Sequence, residues 1–501
     1  MKYTDHMTQK SLSLLMMGVC IGVFLVSVDG FIINVALPTI AGELGVRSEI
    51  SIWLITIFIL PYTVSVPLAG NLATRYGNKI VFLAGLIIFS IGSFICGFAY
   101  NYTYLLFCRL VQGCGAGMLI PSSRGLISLN FPKDKRVLPV TLRSFAVMVG
   151  PAFGPILGGL LSNVHWHWLF FSAVPVALCC FLIVAAVPTL KSETKIYRFD
   201  WIGFALMVVF ILALQVTLDR GQLYDWLHSK IIVTCLVAMF VSFPLFLVWE
   251  LYQLNPMVYL YAFAKRNFTI ATISASIALS LIFASFSLDV LWLHRYMGYP
   301  PMWAGLTIFP IGFFPILLYP MMTSILKKYD PRAVAFLGAL AFVLAFFLKS
   351  KMNLEISFTR LAVARLIQGI GFPLLTTPSS LLYTAGFSDE KMPMINSLYS
   401  FARMITSAIG VAVGMILWIH RQAFYLTRLS ARTYLEDERF TGFLSKLEPI
   451  ASSAEQLTGI ANQAIAAQAA TLALADIYHL FMWITAIVCF LVLLYDTKVK
   501  A

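Results

Sequence analysis

Two carboxylates and a few arginines stand inside stretches that are otherwise apolar. Asp29 lies among Phe24, Val26, Val28 and Ile32. Arg109 lies in LLFCRLVQGCGAGMLIPSS, Leu105 to Ser123, with Gln112 three positions on. Charge at membrane depth is costly, so such a residue faces a protein interior or a water-filled path and takes a partner. A spacing of three puts Arg109 and Gln112 on one helix face. For Asp29 the favoured chemistry is carrying a proton or holding a cationic substrate, because intramembrane acids are functional by default. The alternative is a structural carboxylate bonded to Asn34 or to nearby backbone. Arg109 either holds a proton carrier in its charged form or braces two helices, and both roles stay open. Asp289 is the only acid within 268–293, near the outer end, where contact with cationic substrates and plain solvation are both open. Arg365 and Arg403 read as structural, with a second coupling pair as the alternative.

Other chemistries lack their residues. No G-x-x-x-x-G-K-[ST] loop is present, so no nucleotide use is expected. The eight cysteines all fall in apolar stretches without metal-ligand spacing, so neither disulfides nor a metal site is expected. No nucleophile–base constellation supports a membrane enzyme, no soluble signalling domain supports a sensor, and no cofactor is expected. The net charge of +13 sits in short loops, where it orients a membrane protein rather than binding nucleic acid.

The elements that position these residues are helices. The chain has 501 residues, 60% hydrophobic and 11% charged, against about 25% charged in soluble domains. Apolar runs reach the ~20 residues that cross a bilayer. Spans are expected near 12–36, 51–70, 80–99, 103–126, 139–162, 168–188, 200–218, 231–251, 268–293, 303–325, 333–350, 356–384, 394–418 and 476–495, about fourteen in all. Arg109, Gln112, Gly113 and Gly115 recur as Arg365, Gln368, Gly369 and Gly371. Leu142, Ser144, Phe145, Ala146, Gly154 and Gly158 recur at the same offset as Leu398, Ser400, Phe401, Ala402, Gly410 and Gly414. Arg75, Tyr76 and Lys79 answer to Lys328, Tyr329 and Arg332. The chain therefore reads as an all-α polytopic membrane protein of two parallel six-helix halves, 1–190 and 265–501. Two inserted helices lie in 191–264. Parallel repeats mark halves that rock around a central site. Cations at Arg75, Lys79, Lys133, Lys135, Arg136, Lys191, Lys195, Arg198, Lys265, Arg266, Lys327, Lys328 and Arg332 place one set of loops inside and both termini in the cytoplasm. Loop 419–475 then lies outside, with a helix expected over Leu457–Ala475.

Several motifs carry a resemblance. They are Asp29-Gly-Phe-Ile-Ile-Asn-Val-Ala-Leu-Pro38, Gly70-Asn-Leu-Ala-Thr-Arg-Tyr-Gly-Asn-Lys79, Arg109–Gly117 and Gly150-Pro-Ala-Phe-Gly-Pro-Ile-Leu-Gly-Gly159. Leu218-Asp-Arg-Gly221, Asp225-Trp226, Trp249-Glu-Leu and Asn255-Pro256 add to them. Together they resemble the major facilitator superfamily, in its fourteen-span drug:proton antiporter branch (the EmrB/QacA type), over nearly the whole chain. Departures are Thr74 where the loop usually has an acid, Phe31 where the first helix usually has Thr, and the missing prolines in the second copy of the helix-five motif.

The resemblance implies the fold of that superfamily. It implies proton-coupled export of amphipathic, largely apolar compounds across a bacterial inner membrane by alternating access. Export of one endogenous compound, such as a siderophore or fatty acid, is the alternative. Partners so implied are a periplasmic membrane-fusion adaptor (EmrA-like) and an outer-membrane channel (TolC-like), with loop 419–475 as the docking surface ahead of a lid or passive connector. Gly150, Gly154 and Gly158 form a bare stripe that lets another helix approach. Pro151 and Pro155 remove backbone donors beside it, and Gly159 completes the motif. This stripe is expected to seal or hinge the interface between halves, ahead of ordinary packing. In the loop of Gly70, Arg75, Gly77 and Lys79, the cations are expected to latch the halves by gripping a helix C-terminus, whose dipole is negative. Forty Phe, 21 Tyr and 19 Met suit an adaptable apolar cavity.

Overall fold

In lipid every backbone polar group must be satisfied within its own segment, so apolar runs of this length become helices. The computed structural model describes residues 9–46, 51, 53–132, 135–162, 164–189, 199–221, 224–253, 256–300, 303, 306–384, 386–388, 391–431 and 454–496. The main helices of the first half are α1 (Gln9–Glu43), α2 (Trp53–Tyr76), α3 (Asn78–Cys96), α4 (Tyr102–Asn130), α5 (Val137–Ser162) and α6 (Ala173–Ala186). Next come α7 (Trp201–Arg220) and α8 (Lys230–Tyr252). The second half holds α9 (Arg266–Tyr296), α10 (Phe313–Lys328), α11 (Pro331–Lys349), α12 (Phe358–Thr384), α13 (Met392–Ser430) and α14 (Ala454–Leu493). Among the described residues twelve helices are long and apolar enough to cross a membrane, and shorter apolar runs lie at Leu138–Gly150 and Phe309–Met322, in α5 and at α10. The chain is a multi-pass membrane protein.

Local sequence sets the breaks. Gly77 adopts φ 88°, a conformation side chains disfavour, and so separates α2 from α3. Asn101 caps α4 by accepting from the Tyr104 amide at 2.7 Å. Asp330 accepts from the Arg332 amide at 2.8 Å and starts α11 with Pro331 at its first position.

The helix pairings repeat. α1 packs on α5 and α6, α3 on α4 and α6, and α2 on α4. In the second half α9 packs on α13 and α14, α11 on α12 and α14, and α10 on α12. The duplication in sequence is thus a duplication of packing, giving two parallel six-helix halves. Between them α2 meets α13 and α5 meets α10, contacts related by the same repeat. α7 and α8 pair with each other, and α7 leans on α2 and α13.

The inserted pair is clamped by residues of its own motifs. Thr56 Oγ1 donates to Asp219 at 2.8 Å, and the Arg220 guanidinium lies 4.5 Å from the Trp53 ring centre. Trp249 Nε1 donates to Asp200 at 3.0 Å, and the Val258 amide donates to Glu250 at 3.2 Å.

The expected helix over Leu457–Ala475 is present, but it is no separate element: it is the first half of α14, which runs 40 residues. α13 runs 39. At 1.5 Å per residue each is about 60 Å long, twice the ~30 Å hydrocarbon thickness, so both project beyond the membrane. Trp418 Nε1 donates to Ala470 O at 2.9 Å and Tyr425 to Asp476 at 2.9 Å, tying the projecting parts together. Residues 432–453, the middle of that loop, lie outside the described residues. So do Lys133, Lys191, Lys195, Arg198 and Asn255, and the side chains of Asn34, Pro151 and Pro155.

Candidate coupling site

Four helices of the first half bring one network together. Asp29 of α1 is 3% exposed, and Arg109 and Gln112 of α4 are fully buried. Arg109 Nη1 donates to Asp29 Oδ2 at 2.8 Å and to Gln112 Oε1 at 2.7 Å. Gln112 Nε2 donates to Asp29 Oδ1 at 2.9 Å and to Ser93 Oγ of α3 at 2.8 Å. Arg109 Nε reaches the Leu54 carbonyl of α2 at 3.3 Å, and its guanidinium lies 4.3 Å from the Phe58 ring centre. The shared face of Arg109 and Gln112 is therefore the face that grips Asp29, 80 residues away from Arg109 in the chain. Arg109 Nη2 is buried without a hydrogen-bond partner, so the network retains a donor that can re-pair.

The second half holds a different cluster. Asp289 of α9 is 2% exposed. It accepts from Lys349 Nζ of α11 at 2.5 Å and Arg365 Nη2 of α12 at 2.6 Å, and Tyr478 of α14 donates its hydroxyl to the other oxygen. Arg365 Nη1 also donates to Gln368 at 2.7 Å and to Ser285 Oγ at 2.9 Å. Solvation of Asp289 is thereby overturned: it is enclosed by side chains of three other helices. Arg365 has an acidic partner. Among the described residues one carboxylate here faces two cations.

The two clusters are the same site with exchanged residues. Arg109 and Arg365 are 256 positions apart, as are Asp29 and Ser285; in α3 and α11 the offset is 253, that of Lys79 and Arg332, and it pairs Cys96 with Lys349. Arg365 Nη1 meets Ser285 where Arg109 Nη1 meets Asp29. The acid has moved one helical turn to Asp289, and a lysine stands where the first half has Cys96. Lys349 and Tyr478 escaped the sequence reading. Applying the offset of Lys79 and Arg332 to Cys96 finds Lys349. Nothing comparable finds Tyr478, because loop 432–453 breaks the offset before it.

The glycine stripe is placed differently from expectation. A Cβ on Gly154 would stand 2.7 Å from Phe31 Cβ and 3.1 Å from Ile32 N. One on Gly150 would strike Ser27, and one on Gly158 the Ile32 carbonyl. The stripe thus seats α5 on α1, inside the first half, rather than sealing the two halves. The stripe's spacing marks a bare face but not which helix covers it. A neighbouring face of α5, carrying Phe145, Val149 and Phe153 at helical spacing, meets the other half. Gly312 lies against Val149 and Phe145, and the Phe153 and Phe309 rings are 5.4 Å apart. Gly159 has open space around its Cβ direction. Phe31, the departure on α1, reaches Phe283 of α9 at 5.7 Å.

Gly70 does lie between the halves. Its Cβ direction points at Ser397 and Pro393 of α13, and Ser397 Oγ donates to the Val66 carbonyl at 2.7 Å. Lys79 grips a helix C-terminus as expected, donating to the carbonyls of Ala185 at 3.0 Å and Val187 at 2.7 Å. That helix is α6, however, so the latch is within one half and not between the two. Its position after Gly77 aims it back along its own bundle. Arg75 lies over Tyr76, 5.3 Å from the ring centre.

The chain is similar in sequence and in fold to known proteins. The sequence pattern of the Major Facilitator Superfamily matches residues 19–326. The chain is similar to the Multidrug export protein EmrB of Escherichia coli K12, 33% identical over 476 residues, covering 94% of this chain and 92% of that one. It is 31% identical over 473 residues to the protein of that name from Haemophilus influenzae, covering 94% and 93%. It is 34% identical over 462 residues to the Fatty acid resistance protein FarB of Neisseria gonorrhoeae, covering 89% of each. Among solved structures, human MFSD10 superposes with a TM-score of 0.57 at 13% identity, covering 95% of this chain and 99% of that one, a likeness of fold.

Proposed function

We propose, from the premise that the chain belongs to the Major Facilitator Superfamily, that it is a proton-coupled multidrug efflux transporter. It exports amphipathic and hydrophobic compounds by alternating access. The similarity to multidrug export proteins over most of the chain supports the direction and the cargo. The carrying structural observation is the buried Asp29–Arg109 pair, 2.8 Å apart, on the helix that seats α5.

The coupling runs through that seat. Ser27, Val28, Phe31 and Ile32 flank Asp29 and form the surface on which Gly150, Gly154 and Gly158 lie. A proton on Asp29 removes the charge that Arg109 grips, while Gln112 and the Leu54 carbonyl keep Arg109 in place. α1 is then free to shift relative to α4. The close seat carries α5 with α1, and the Phe145–Val149–Phe153 face of α5 alters its contact with Phe309 and Gly312, just before α10. Closure at the other contact is set by Gly70 against Ser397. Packed interfaces with discrete arrangements turn small shifts into larger ones. Asp289 with Lys349 and Arg365 is a second charge cluster at the matching place. The units that move are the halves 1–190 and 265–501, with 191–264 riding on the first through Thr56 and Trp53.

The protein is a carrier and not an enzyme. It sits in the bacterial inner membrane with both termini in the cytoplasm, which the inner-loop cations support. The projecting ends of α13 and α14 offer a docking surface to an EmrA-like periplasmic adaptor joined to a TolC-like outer-membrane channel. A second reading, export of one endogenous compound such as a fatty acid, is favoured by the similarity to a fatty acid resistance protein. Accumulation of labelled compounds into inverted vesicles under an imposed pH gradient tests both. Many unrelated substrates support the first reading, a single compound the second, and no gradient-driven accumulation refutes both.

A further inference from the structure

Between the two halves lies a group of arginines that the coupling network does not use. Arg124 of α4 and Arg403 of α13 flank one ring, that of Tyr399, at 4.7 and 5.2 Å from its centre. Arg143 of α5, 2% exposed, donates to Ser123 Oγ at 2.6 Å and to the Ile120 carbonyl at 2.8 Å. That anchors it beside Arg124, and its charge lies within electrostatic reach of both other arginines. Among the described residues no acid forms an ion pair with any of the three. Arg124 Nη1, Arg403 Nε and the Tyr399 hydroxyl are buried without hydrogen-bond partners. Tyr62, Tyr319, Tyr383 and Tyr399 are all buried beside members of the group. The Tyr383 and Tyr399 rings stack at 4.2 Å.

Three guanidinium groups, Arg143 buried and Arg124 and Arg403 half-buried, gather without a counter-charge among the described residues, which is unfavourable since arginine cannot shed its proton. Idle donors and an aromatic floor are what an anionic group with an apolar tail requires. We infer that the Arg124–Arg143–Arg403 group is the headgroup site for organic anions among the substrates, holding a carboxylate while the tail lies along the tyrosines. Arg124 and Arg143 belong to one half and Arg403 to the other. A bound carboxylate therefore bridges the halves and favours the state in which they close around it. The inference rests on the export reading only for the transport of the bound anion; binding itself requires no transport.

The test is equilibrium binding of radiolabelled dodecanoate and dodecanamide to the full-length protein in phosphatidylcholine nanodiscs, with empty nanodiscs subtracted. The two ligands share a tail and differ in charge. Wild type should bind dodecanoate about tenfold or more tightly than dodecanamide, the worth of one charge-assisted hydrogen bond. Arg124→Gln and Arg403→Gln should lose that preference while dodecanamide affinity holds, which also reports intact folding; Arg403→Lys should keep part of it. Asp29→Asn, defective in coupling, should keep all of it, so failure of the export reading and failure of this one give different results. Equal binding of the two ligands by wild type overturns the inference without any variant. So does a preference that survives both glutamine substitutions. Displacement of dodecanoate by added phosphatidylglycerol assigns the arginines to a lipid headgroup and overturns it likewise.

Discussion

Removing one member of the Asp29–Arg109 pair should not be equivalent to removing the other. Asp29→Asn leaves a guanidinium at full burial with no negative partner, and arginine stays charged under all practical conditions. Arg109→Gln leaves a carboxylate, which becomes neutral by taking up one proton. Breaking a buried pair by removing one partner costs about 3–5 kcal/mol. The asparagine carbonyl still accepts from Arg109, and Gln112 retains Ser93, so Asp29→Asn should fall near 3 kcal/mol, at the lower end of that range. Arg109→Gln should cost about 1–2 kcal/mol, mostly the hydrogen bonds it strands at the Leu54 carbonyl and Gln112. Asp29→Asn with Arg109→Gln should be less destabilised than Asp29→Asn alone, because no unpaired charge remains. The assay is thermal and denaturant unfolding of purified protein in one detergent for all four chains. If Arg109→Gln is the more damaging single change, or the double variant is the least stable, the pair is not a buried ion pair of the kind argued.

Gly154→Leu should abolish coupled transport and destabilise by about 1–3 kcal/mol or more, because a Cβ already meets Phe31 Cβ at 2.7 Å. Gly159→Ala, with nothing within 4 Å, should be silent in the same proteoliposome flux assay, and equal effects would mean the stripe does not seat α5. Gly70→Val should hold α2 off α13. In a Ser397→Cys background it should raise labelling by a cytoplasmic thiol reagent several-fold, and unchanged labelling would show that the contact is not the closure point. Replacing 427–460 by a short linker, which removes the projecting ends of α13 and α14, should spare flux by the purified protein while lowering co-purification of the adaptor. The linker keeps Tyr425 bonded to Asp476. Full adaptor binding would move docking elsewhere.

What sequence shows here is governed by how local each signal is. The paired faces of Arg109 and Gln112 follow from a spacing of three, and both residues do point at one partner. That Asp29 is the partner depends on how α1 meets α4, which spacing does not encode. The duplication is readable from Arg365, Gln368 and Gly369, and the packing repeats with it. Asp289 reads equally as solvated or as a substrate contact because it lies near a span end. Its cover comes from Lys349, which sits one residue before a loop and resembles a loop charge, and from Tyr478, beyond an insertion that spoils the repeat. The stripe of Gly150, Gly154 and Gly158 announces close contact, but the direction of that contact around the α5 axis comes only from the bundle. Lys79 likewise announces a helix C-terminus without saying whose.

The central claim is that a proton on Asp29 drives export. Purified protein in liposomes, given a pH gradient and a labelled amphipathic cation, measures it directly. Wild type should accumulate the compound, collapse of the gradient should stop accumulation, and Asp29→Asn should bind the compound yet show no gradient-driven accumulation. Gradient-driven accumulation by Asp29→Asn at the wild-type rate would contradict the account.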